Sequence, residues 1–352
     1  MTAMDQALKA YNLESSDLKI EKIHNGLINS TWYIKNSHRS YILQKVNQKV
    51  FKNPKAIASN ISLIAGYLSH QYPTYIFTSP IKTKSNAEMV EVDGSAYYRL
   101  FPFVEGCCTI NTVEKPVQAF EAAKKFGEFT KILSQFPIKK LRYTIPDFHN
   151  LSLRYQEFTD TLDNGNRARL KQSAELIQFM QDNESIVKIY DNIVGDPHFL
   201  LRVTHHDTKI SNVLFDKVDK GLCVIDLDTV MPGYFISDVG DMIRTYVSPV
   251  NEEEKDFSKI CIREDYFKAI WDGYMDQMKD ELSKEEKDHF IYAGKFMIYM
   301  QAIRFITDYL NNDIYYGSRY EGQNFVRAEN QMILFKKLIE KETSLKRLIS
   351  NL

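Results

Sequence analysis

The chain has 352 residues, of which 44% are hydrophobic and 26% are charged. This is the composition of a folded globular protein, and it excludes wholesale disorder. The 45 basic and 46 acidic residues give a formal net charge of −1, which argues against a nucleic-acid binder driven by bulk positive charge. The length suits two domains, or one large domain with a smaller lobe.

The first hundred residues predict a small antiparallel sheet with one helix. Alternation of apolar and polar residues, together with turn signals, predicts strands at residues 18–24, 30–35, 40–46, 89–92 and 96–104. Residues 55–71 carry their aliphatic side chains at helical spacing. The order of these elements suggests one helix packed on a small sheet.

After Gly106 the pattern becomes mainly helical. Helical spacing of apolar residues predicts helices within residues 112–135, 150–162, 167–194 and 266–348. A short β segment at residues 200–230 interrupts them. We therefore predict an α+β fold with two lobes, a β-rich lobe at residues 1–104 and a mainly helical lobe at residues 105–352, joined by a hinge at about residues 101–106.

The cysteines, the N-terminal segment and the hydropathy predict a cytoplasmic protein. Cys107, Cys108, Cys223 and Cys261 form neither a CxxC pair nor a Cys/His cluster with zinc spacing, so we expect reduced thiols. The first twenty residues lack the pattern of a signal peptide. No segment has the ~18 uninterrupted apolar residues of a membrane-spanning helix. The expected partner is a small molecule, with no nucleic acid or membrane, and the expected assembly is a monomer or homodimer.

The most informative segment lies within residues 200–244. An apolar run leads into Asp207, and Asn212 follows on the far side of a short loop. Two apolar runs around a turn at Asp219 predict a hairpin, in which Asn212 lies opposite Asp226, about 5 Å away. An amide and a carboxylate beside a free loop carboxylate suit Mg²⁺ held together with phosphate oxygens, and hence phosphoryl transfer.

Two features of the N-terminal strands fit the same chemistry. Lys45 ends an apolar strand, in the place where a kinase keeps its phosphate-binding lysine. The turn between the first two strands, Asn25 to Thr31, supplies backbone amides and the hydroxyls of Ser30 and Thr31, which suit a cover over phosphates. The order of these features along the chain indicates an ATP-dependent phosphotransferase.

The chain resembles the aminoglycoside phosphotransferase and choline kinase superfamily and, within it, the N-acetylhexosamine 1-kinases. The resemblance covers nearly the whole chain through the segments GLINSTWYI, YILQKVN, RLFPFVEG, VTHHDTKISNVLFD, CVIDLDTVMPG, SDVGDMIR and AIRFITDYLNNDIYY. It implies a protein-kinase-like fold, with ATP and Mg²⁺ as cofactors. It also implies transfer of the γ-phosphoryl group to the anomeric hydroxyl of an N-acetylhexosamine.

The resemblance also implies roles for single residues. Asp207 would be the catalytic base, Asn212 and Asp226 would hold Mg²⁺, and Lys45 would meet the α and β phosphates. The phosphate cover would include Asn29, Ser30 and Thr31, and adenine would lie at the hinge residues Phe101, Phe103 and Val104. His205 and Asp241 would brace the catalytic loop, and Asp228 is a further acidic candidate near the metal.

One departure from the superfamily concerns the partner of Lys45. Related kinases pair the strand lysine with a glutamate on the small-lobe helix. No glutamate occurs between Phe51 and Tyr72, where Asn60 is the polar residue nearest the middle of the predicted helix. The ion pair of Lys45 therefore lacks its expected partner.

The acceptor site is predicted within residues 294–316. Gln301, Arg304 and Asp308 share one stripe of a helix, where Arg304 and Asp308 are also spaced to form an ion pair. Planar hydrogen-bonding groups and aromatic rings suit a sugar, so the candidates are Arg304, Asp308, Tyr309, Tyr315 and Met231, with His149 and Arg154 as weaker ones.

Three alternative functions remain open at the sequence level. The same superfamily includes kinases for other acceptors, namely other sugars, choline or ethanolamine, and aminoglycosides. The His206-Asp207 pair also occurs in metal phosphohydrolases, but these need further histidine ligands that the sequence does not show. A nucleotide-binding pseudokinase is supported by the missing helix glutamate and opposed by Asp207, Asn212, Asp226 and Lys45.

Overall fold

The computed structural model describes residues 2–14, 18–23 and 29–350. Its first part is a five-stranded antiparallel sheet in the order β1-β2-β3-β5-β4. The strands are β1 Lys19–Ile23, β2 Ser30–Lys35, β3 Ser40–Lys45, β4 Val90–Val92 and β5 Ala96–Pro102. All five strands lie within or beside the segments predicted from alternation, so the predicted small antiparallel sheet is confirmed.

One face of this sheet packs on a small hydrophobic core. Leu43 and Leu100 are register partners, and both are buried in a small core together with Ile34 and Tyr98. Helix α1, Ala3–Ala10, contributes Ala7 and Leu8 to the same core. The sequence analysis did not predict α1, whose eight residues are short for a periodicity argument.

Helix α2, Pro54–Gln71, is the predicted helix, but its apolar side chains join a different core. Ile57, Ile61, Ile64 and Leu68 are buried in one cluster with the helices of the second part of the chain. The helix that packs on the small core is therefore α1. The assignment of residues 1–104 and 105–352 to separate lobes stays a prediction.

The rest of the chain is mainly helical, as predicted. Its helices are α3 Pro116–Ile132, α4 Leu151–Asn164, α5 Arg167–Gln172, α6 Ala174–Asp182, α7 Ser185–Gly195, α8 Phe235–Tyr246, α9 Glu264–Met278, α10 Lys284–Asp288, α11 Phe290–Leu310 and α12 Gln323–Ile349. The helix pairs α3 with α9, α8 with α11, and α11 with α12 pack along much of their length. The predicted helix at residues 167–194 is divided into α5, α6 and α7, and α8 was not predicted.

Two small sheets lie among these helices and carry the loops of the site. One has the order β6-β8-β9, with β6 Cys108–Thr109, β8 Val213–Phe215 and β9 Gly221–Val224. The other pairs β7 Arg202–Thr204 with β10 Met231–Gly233. Within the described ranges, no helix is both long and apolar enough to span a membrane.

Candidate active site

The loop that carries Asp207 is held through its backbone. The buried carboxylate of Asp238 on α8 accepts hydrogen bonds from the N–H groups of His205 (2.9 Å) and His206 (2.7 Å). One turn later on α8, Asp241 accepts from the N–H of Thr208 at 2.9 Å. These contacts hold the backbone on both sides of Asp207, whose side chain is 18% exposed.

This loop requires an unusual backbone and a close approach. His206 has φ of 65°, the left-handed region that side chains with a Cβ rarely adopt. Gly233 on β10 faces it, and a Cβ at that position would lie 2.4 Å from the His206 ring. A glycine is therefore needed at residue 233 for the strand to pass the loop that carries Asp207.

Lys209 and Asn212 contact the residue predicted to be the catalytic base. Lys209 Nζ lies 3.2 Å from Asp207 Oδ1, and the Asp207 carboxylate raises the pKa of Lys209. The amide nitrogen of Asn212 donates to the Asp207 carbonyl at 2.8 Å. Lys209 was not predicted, although its place two residues after Asp207 puts a charge within reach of that carboxylate.

Asp226 faces the same small cleft as Asp207. This cleft is lined by Asn29, Phe51, Asp207, Asp226, Asp228 and Thr229. Burial, followed by the charges of Asp228 and Asp207, raises the pKa of Asp226 to about 7. Crowded carboxylates of this kind suit a divalent cation, which would relieve their repulsion.

The predicted register of the hairpin is off by one residue. Val213 pairs with Val224, and the Ile225 N–H donates to the Asn212 carbonyl at 2.8 Å, so Asn212 lies opposite Ile225. Phe215 pairs with Gly221, so the turn is centred on residue 218 rather than 219, and the irregularity between Leu214 and Phe215 restores only half of this difference. Asp226 follows in the left-handed region, with φ of 59°, and this bend turns it into the cleft.

Asp228 is paired with an arginine that the sequence analysis did not single out. Asp228 Oδ1 lies 2.5 Å from Nη1 of Arg99 on β5, and the two side chains are 2% and 1% exposed. Asn29 Nδ2 donates to the other oxygen of Asp228 at 2.8 Å, while Asn29 Oδ1 accepts from the Asn47 N–H. Asn29 therefore lines the cleft; its part in a phosphate cover stays a prediction, and residues 25–28 of the predicted cover lie outside the described residues.

The structure places Lys45 on the face of the sheet away from this cluster, and its predicted role in phosphate binding stays a prediction. Lys45 is exposed, it pairs in register with Tyr98, and its Nζ lies 5.9 Å from the centre of that ring. Gln44, one residue earlier, points to the opposite face and accepts from Arg99 Nη2 at 2.8 Å. Side chains alternate along a strand, so a one-residue difference decides which face a residue occupies.

Asn60 does not replace the missing helix glutamate. Its side chain is fully buried and donates to the carbonyls of Arg142 (2.8 Å) and Val230 (3.0 Å). Its oxygen accepts from the Arg142 N–H at 2.9 Å. Asn60 therefore joins α2 to two backbone segments and leaves no group for a strand cation.

The remaining nucleotide-binding candidates lie along β2 and the end of β5. Ser30 is exposed, whereas Thr31 is buried and accepts a long hydrogen bond from Gln44. Phe101 shares the face of Gln44 and Arg99, with the Arg99 guanidinium 5.1 Å from its ring. The Phe103 N–H donates to the Ser40 carbonyl, so this N–H is already used. The predicted hinge residue Val104 follows the end of β5, and among the described residues its N–H donates no hydrogen bond.

A second polar group surrounds Arg304, close to the catalytic loop. The Arg304 guanidinium lies 5.5 Å from the Phe148 ring and 5.7 Å from the Tyr315 ring, and it donates to the Tyr315 hydroxyl. His149 stacks on Phe148 and lies 5.3 Å from the His206 ring. Burial, with His206 and Arg304 nearby, lowers the pKa of His149, so the imidazole is neutral.

The other predicted acceptor residues have structural contacts. Asp308 accepts from the N–H groups of Tyr315 and Tyr316, and in the described structure it forms no ion pair with Arg304. The Tyr309 hydroxyl donates to Gln172, and its ring packs on Arg169. Met231 is 2% exposed and accepts from Thr144. Asp308 therefore fixes the loop that carries Tyr315 and Tyr316, here called the tyrosine loop. Tyr309 and Met231 pack in the interior.

The predicted metal ligands fit Mg²⁺ that also binds substrate phosphates. Magnesium commonly takes one or two carboxylates and completes its shell with water and phosphate oxygens. Across the described part of the chain, no group of three His, Cys, Asp or Glu side chains converges as a protein-only metal site. Asp226 and the amide oxygen of Asn212 supply an open set of hard oxygen donors of this kind.

Comparisons with known proteins agree with this geometry. Residues 19–257 match the model of a family described as the phosphotransferase enzyme family, APH. This match covers more than half of the chain and includes Asp207, Asn212 and Asp226. Arg304 and the tyrosine loop lie beyond it.

Solved structures of kinases share the fold over nearly the whole chain. A microcompartment-associated aminopropanol kinase has a TM-score of 0.63 at 14% identity, covering 97% of both chains. A spectinomycin phosphotransferase solved with ADP and spectinomycin has a TM-score of 0.57 at 13% identity, covering 97% of this chain and 96% of its own. Choline kinase from Cryptosporidium parvum has a TM-score of 0.54 at 13% identity, covering 97% and 95%. The predicted kinase-like fold is confirmed.

Proposed function

Because the chain belongs to the APH phosphotransferase enzyme family, it is a small-molecule phosphotransferase, and we propose that it transfers the γ-phosphoryl group of ATP to the anomeric hydroxyl of an N-acetylhexosamine. The observation that carries the proposal is the cleft in which Asp207 and Asp226 meet. It combines a loop carboxylate for the acceptor with a carboxylate for the metal. Phosphoryl transfer needs these two groups side by side.

ATP and Mg²⁺ are proposed as cosubstrate and metal. The spectinomycin phosphotransferase that shares the fold was solved with ADP and, separately, with AMP. Asp226 and Asn212 would hold Mg²⁺, which neutralises charge on the phosphate oxygens when bound. Adenine would lie at the hinge residues Phe101, Phe103 and Val104.

Asp207 is proposed to act on the acceptor hydroxyl. As the bond between the acceptor oxygen and the γ-phosphorus forms, the bond from that phosphorus to the β-phosphate oxygen breaks. The hydroxyl proton passes to the Asp207 carboxylate, and ADP leaves. Lys209, 3.2 Å from Asp207, holds the carboxylate in place and balances its charge beside Asp226.

The surroundings of Arg304 support a sugar as the acceptor. Arg304, Phe148 and Tyr315 combine a planar donor with aromatic faces, which suit the hydroxyls and C–H faces of a pyranose ring. A choline site needs aromatic rings and carboxylates around a quaternary ammonium. The positive charge of Arg304 opposes such a ligand.

The decisive experiment is ³¹P NMR of the purified protein with Mg·ATP and a panel of acceptors. The panel contains N-acetylglucosamine, N-acetylgalactosamine, other hexoses, choline, ethanolamine, an amino alcohol and an aminoglycoside. A new phosphate signal coupled to an anomeric proton, formed only with N-acetylhexosamines, is expected. A phosphomonoester of another panel member would overturn the acceptor, and bound ATP without transfer to any member would favour the pseudokinase.

Two variants test the roles of the carboxylates in the same assay. Asp207→Ala is expected to abolish turnover, a loss of about 10² to 10⁴-fold or more, while it leaves Mg·ADP binding intact. Asp226→Ala is expected to weaken Mg·ADP binding itself. Near-normal turnover by Asp207→Ala would show that the catalytic loop is wrongly assigned.

A further inference from the structure

The cleft face of the N-terminal sheet carries an arginine where a lysine is expected. Lys45 lies on the face that packs on the small core. Gln44 on β3 and Arg99 on β5 are register partners on the opposite face. Of these two basic side chains, Arg99 is therefore the one on the cleft face of the sheet, where its Nη1 lies 2.5 Å from Asp228.

Arg99 keeps hydrogen-bonding capacity in this position. A guanidinium has five N–H donors in a planar fork. In the described structure, Nε and Nη2 each donate one to Gln44, at 3.1 and 2.8 Å, and Nη1 faces Asp228. Nη1 and Asp228 Oδ1 are buried and form no hydrogen bond in the described structure, so N–H groups on both terminal nitrogens are left for another acceptor.

Asp228 and Gln44 hold the Arg99 guanidinium in the way that the glutamate of the small-lobe helix holds the strand lysine in related kinases. The Arg99 and Asp228 side chains are 1% and 2% exposed, and a buried charge of this kind needs a partner. No glutamate occurs on α2, and Asn60 is used by backbone groups. The carboxylate that anchors the strand cation thus comes from the segment after Asp226.

Arg99 lies on β5 between the hinge and the acidic cleft. Phe101 lies two residues later on the same face, toward the hinge, with the guanidinium against its ring. In the other direction, Asp228 and Asn29 line the cleft that contains Asp207 and Asp226. Arg99 therefore lies between the proposed adenine position and the proposed metal position.

We propose that Arg99, anchored by Asp228 and Gln44, is the cation that binds the nucleotide phosphates in this protein, and that Lys45 has no part in it. This inference rests on the proposed use of ATP, but not on the identity of the acceptor. Asp228 lies against the guanidinium in the structure. A bound nucleotide would add its phosphate oxygens to the remaining N–H groups as charge-assisted hydrogen bonds.

The test is the affinity for Mg·ADP and for adenosine, measured by titration calorimetry without any acceptor. Arg99→Met is expected to weaken Mg·ADP binding at least tenfold and to leave adenosine binding within twofold. Lys45→Met, the matched control on the other face of the sheet, is expected to bind both ligands as the wild type does. Equal Mg·ADP affinity in folded Arg99→Met, or a tenfold loss in Lys45→Met, would overturn the proposal.

Two further variants, which keep a positive charge on the cleft face of the sheet, keep the proposal testable if Arg99→Met does not fold. Gln44→Lys combined with Arg99→Met places a lysine on the cleft face of β3, and it is expected to recover most of the affinity for Mg·ADP. Arg99→Lys keeps a charge beside Asp228 but loses the fork, and a several-fold weaker affinity for Mg·ADP alone is expected. Unchanged affinity in Arg99→Lys, together with no recovery in the double variant, would contradict the proposal.

The same measurements separate this inference from the proposed acceptor. Wild-type protein that binds Mg·ADP but phosphorylates no sugar would overturn the acceptor only, and the comparison of Arg99→Met with Lys45→Met would still decide the role of Arg99. Wild-type protein that binds no adenine nucleotide would overturn both proposals.

Discussion

Three acidic side chains share one small cleft, and each has a different environment. Asp207 is partly exposed and faces Lys209, and Asp228 is buried against Arg99. Among the described residues, Asp226 forms no ion pair within 4.0 Å, although Arg99 and Lys209 lower its pKa from a distance. Burial and the two neighbouring charges raise the pKa of Asp226 to about 7. The least compensated carboxylate is therefore the one best placed to gain from a bound metal ion.

The raised pKa of Asp226 predicts a pH dependence of metal-nucleotide binding. A metal ligand must be ionised, so the affinity for Mg·ADP is expected to fall as pH decreases below about 7, by at most about tenfold per pH unit. Titration calorimetry between pH 6 and 8 measures this change. Adenosine, which needs no metal, serves as the control, and a constant Mg·ADP affinity over this range would contradict the prediction.

The same group affects the stability of the ligand-free protein with the opposite sign. The pKa of Asp226 rises from 3.8 to about 7 on folding, so the folded state holds a proton that the unfolded chain has lost. The free energy of unfolding is therefore expected to decrease as pH rises from about 4 to about 7. Asp226→Asn is expected to reduce this dependence of the free energy of unfolding on pH. Urea unfolding at several pH values between 4 and 7 measures it.

Lys209 provides a test of how Asp207 is positioned. Lys209→Met removes the cation 3.2 Å from the Asp207 carboxylate, and we expect kcat to fall by about tenfold or more. The Kd for Mg·ADP is expected to stay within about twofold. Lys217→Met, an exposed lysine in the nearby turn, is the control; equal kcat values for the two variants would show that Lys209 has no such role.

Among the elements, α2 is unusual because its position depends on one polar side chain. Its apolar face packs in the larger core, while Asn60 forms three hydrogen bonds to the backbone of Arg142 and Val230. Val230 follows Asp228 and Thr229, which line the cleft. Asn60 therefore connects the helix to the segment that anchors Arg99.

Asn60→Leu is predicted to destabilise the protein. It leaves two carbonyls and one N–H without their partner, and each unsatisfied buried group costs about 1 to 3 kcal/mol. We expect the free energy of unfolding to decrease by about 3 kcal/mol in urea titrations. Ser62→Ala, which removes one partly buried hydrogen bond on the same helix, is expected to cost less than about 1 kcal/mol; a similar loss in both would contradict the role of Asn60.

At the scale of the whole molecule, close packing between helices depends on glycine. Gly273 on α9 faces the backbone of α3, and a Cβ there would lie 2.2 Å from the Phe120 carbonyl oxygen. Gly66 on α2 has open space around the position of its missing Cβ. One glycine therefore permits two elements to approach, and the other only adds chain entropy to the unfolded state.

Substitution of these two glycines by alanine is predicted to have opposite effects. Gly273→Ala is expected to lower the free energy of unfolding by about 1 to 3 kcal/mol, because α3 and α9 must move apart. Gly66→Ala is expected to raise it by about 0.5 to 1 kcal/mol. Urea unfolding of both variants measures the difference, and a stabilised Gly273→Ala would show that the contact relaxes at no cost.

Much of the fold could be predicted from the sequence because local patterns are strong there. Alternation located β1 to β5, and helical spacing located α2, α3 and α4. The segment around residue 207 was predicted to carry the chemistry, because Asp207 and Asn212 lie close in the sequence and two short apolar runs around a turn, the pattern of a hairpin, join Asn212 to Asp226. Where the pattern was short, as in α1, or interrupted, as in α5 to α7, the prediction missed the element or joined several into one.

The sequence alone determined the order of the motifs, the small sheet and the family to which the chain belongs, since each depends on residue types and their spacing. Only the tertiary structure decided which face of β3 meets the cleft, and it places Gln44 and Arg99, but not Lys45, on that face. It also decided that Asp308 holds a loop and that Asp228 anchors an arginine. These outcomes depend on contacts between residues distant in the chain, such as Arg99 and Asp228, and local spacing carries no information about such pairs.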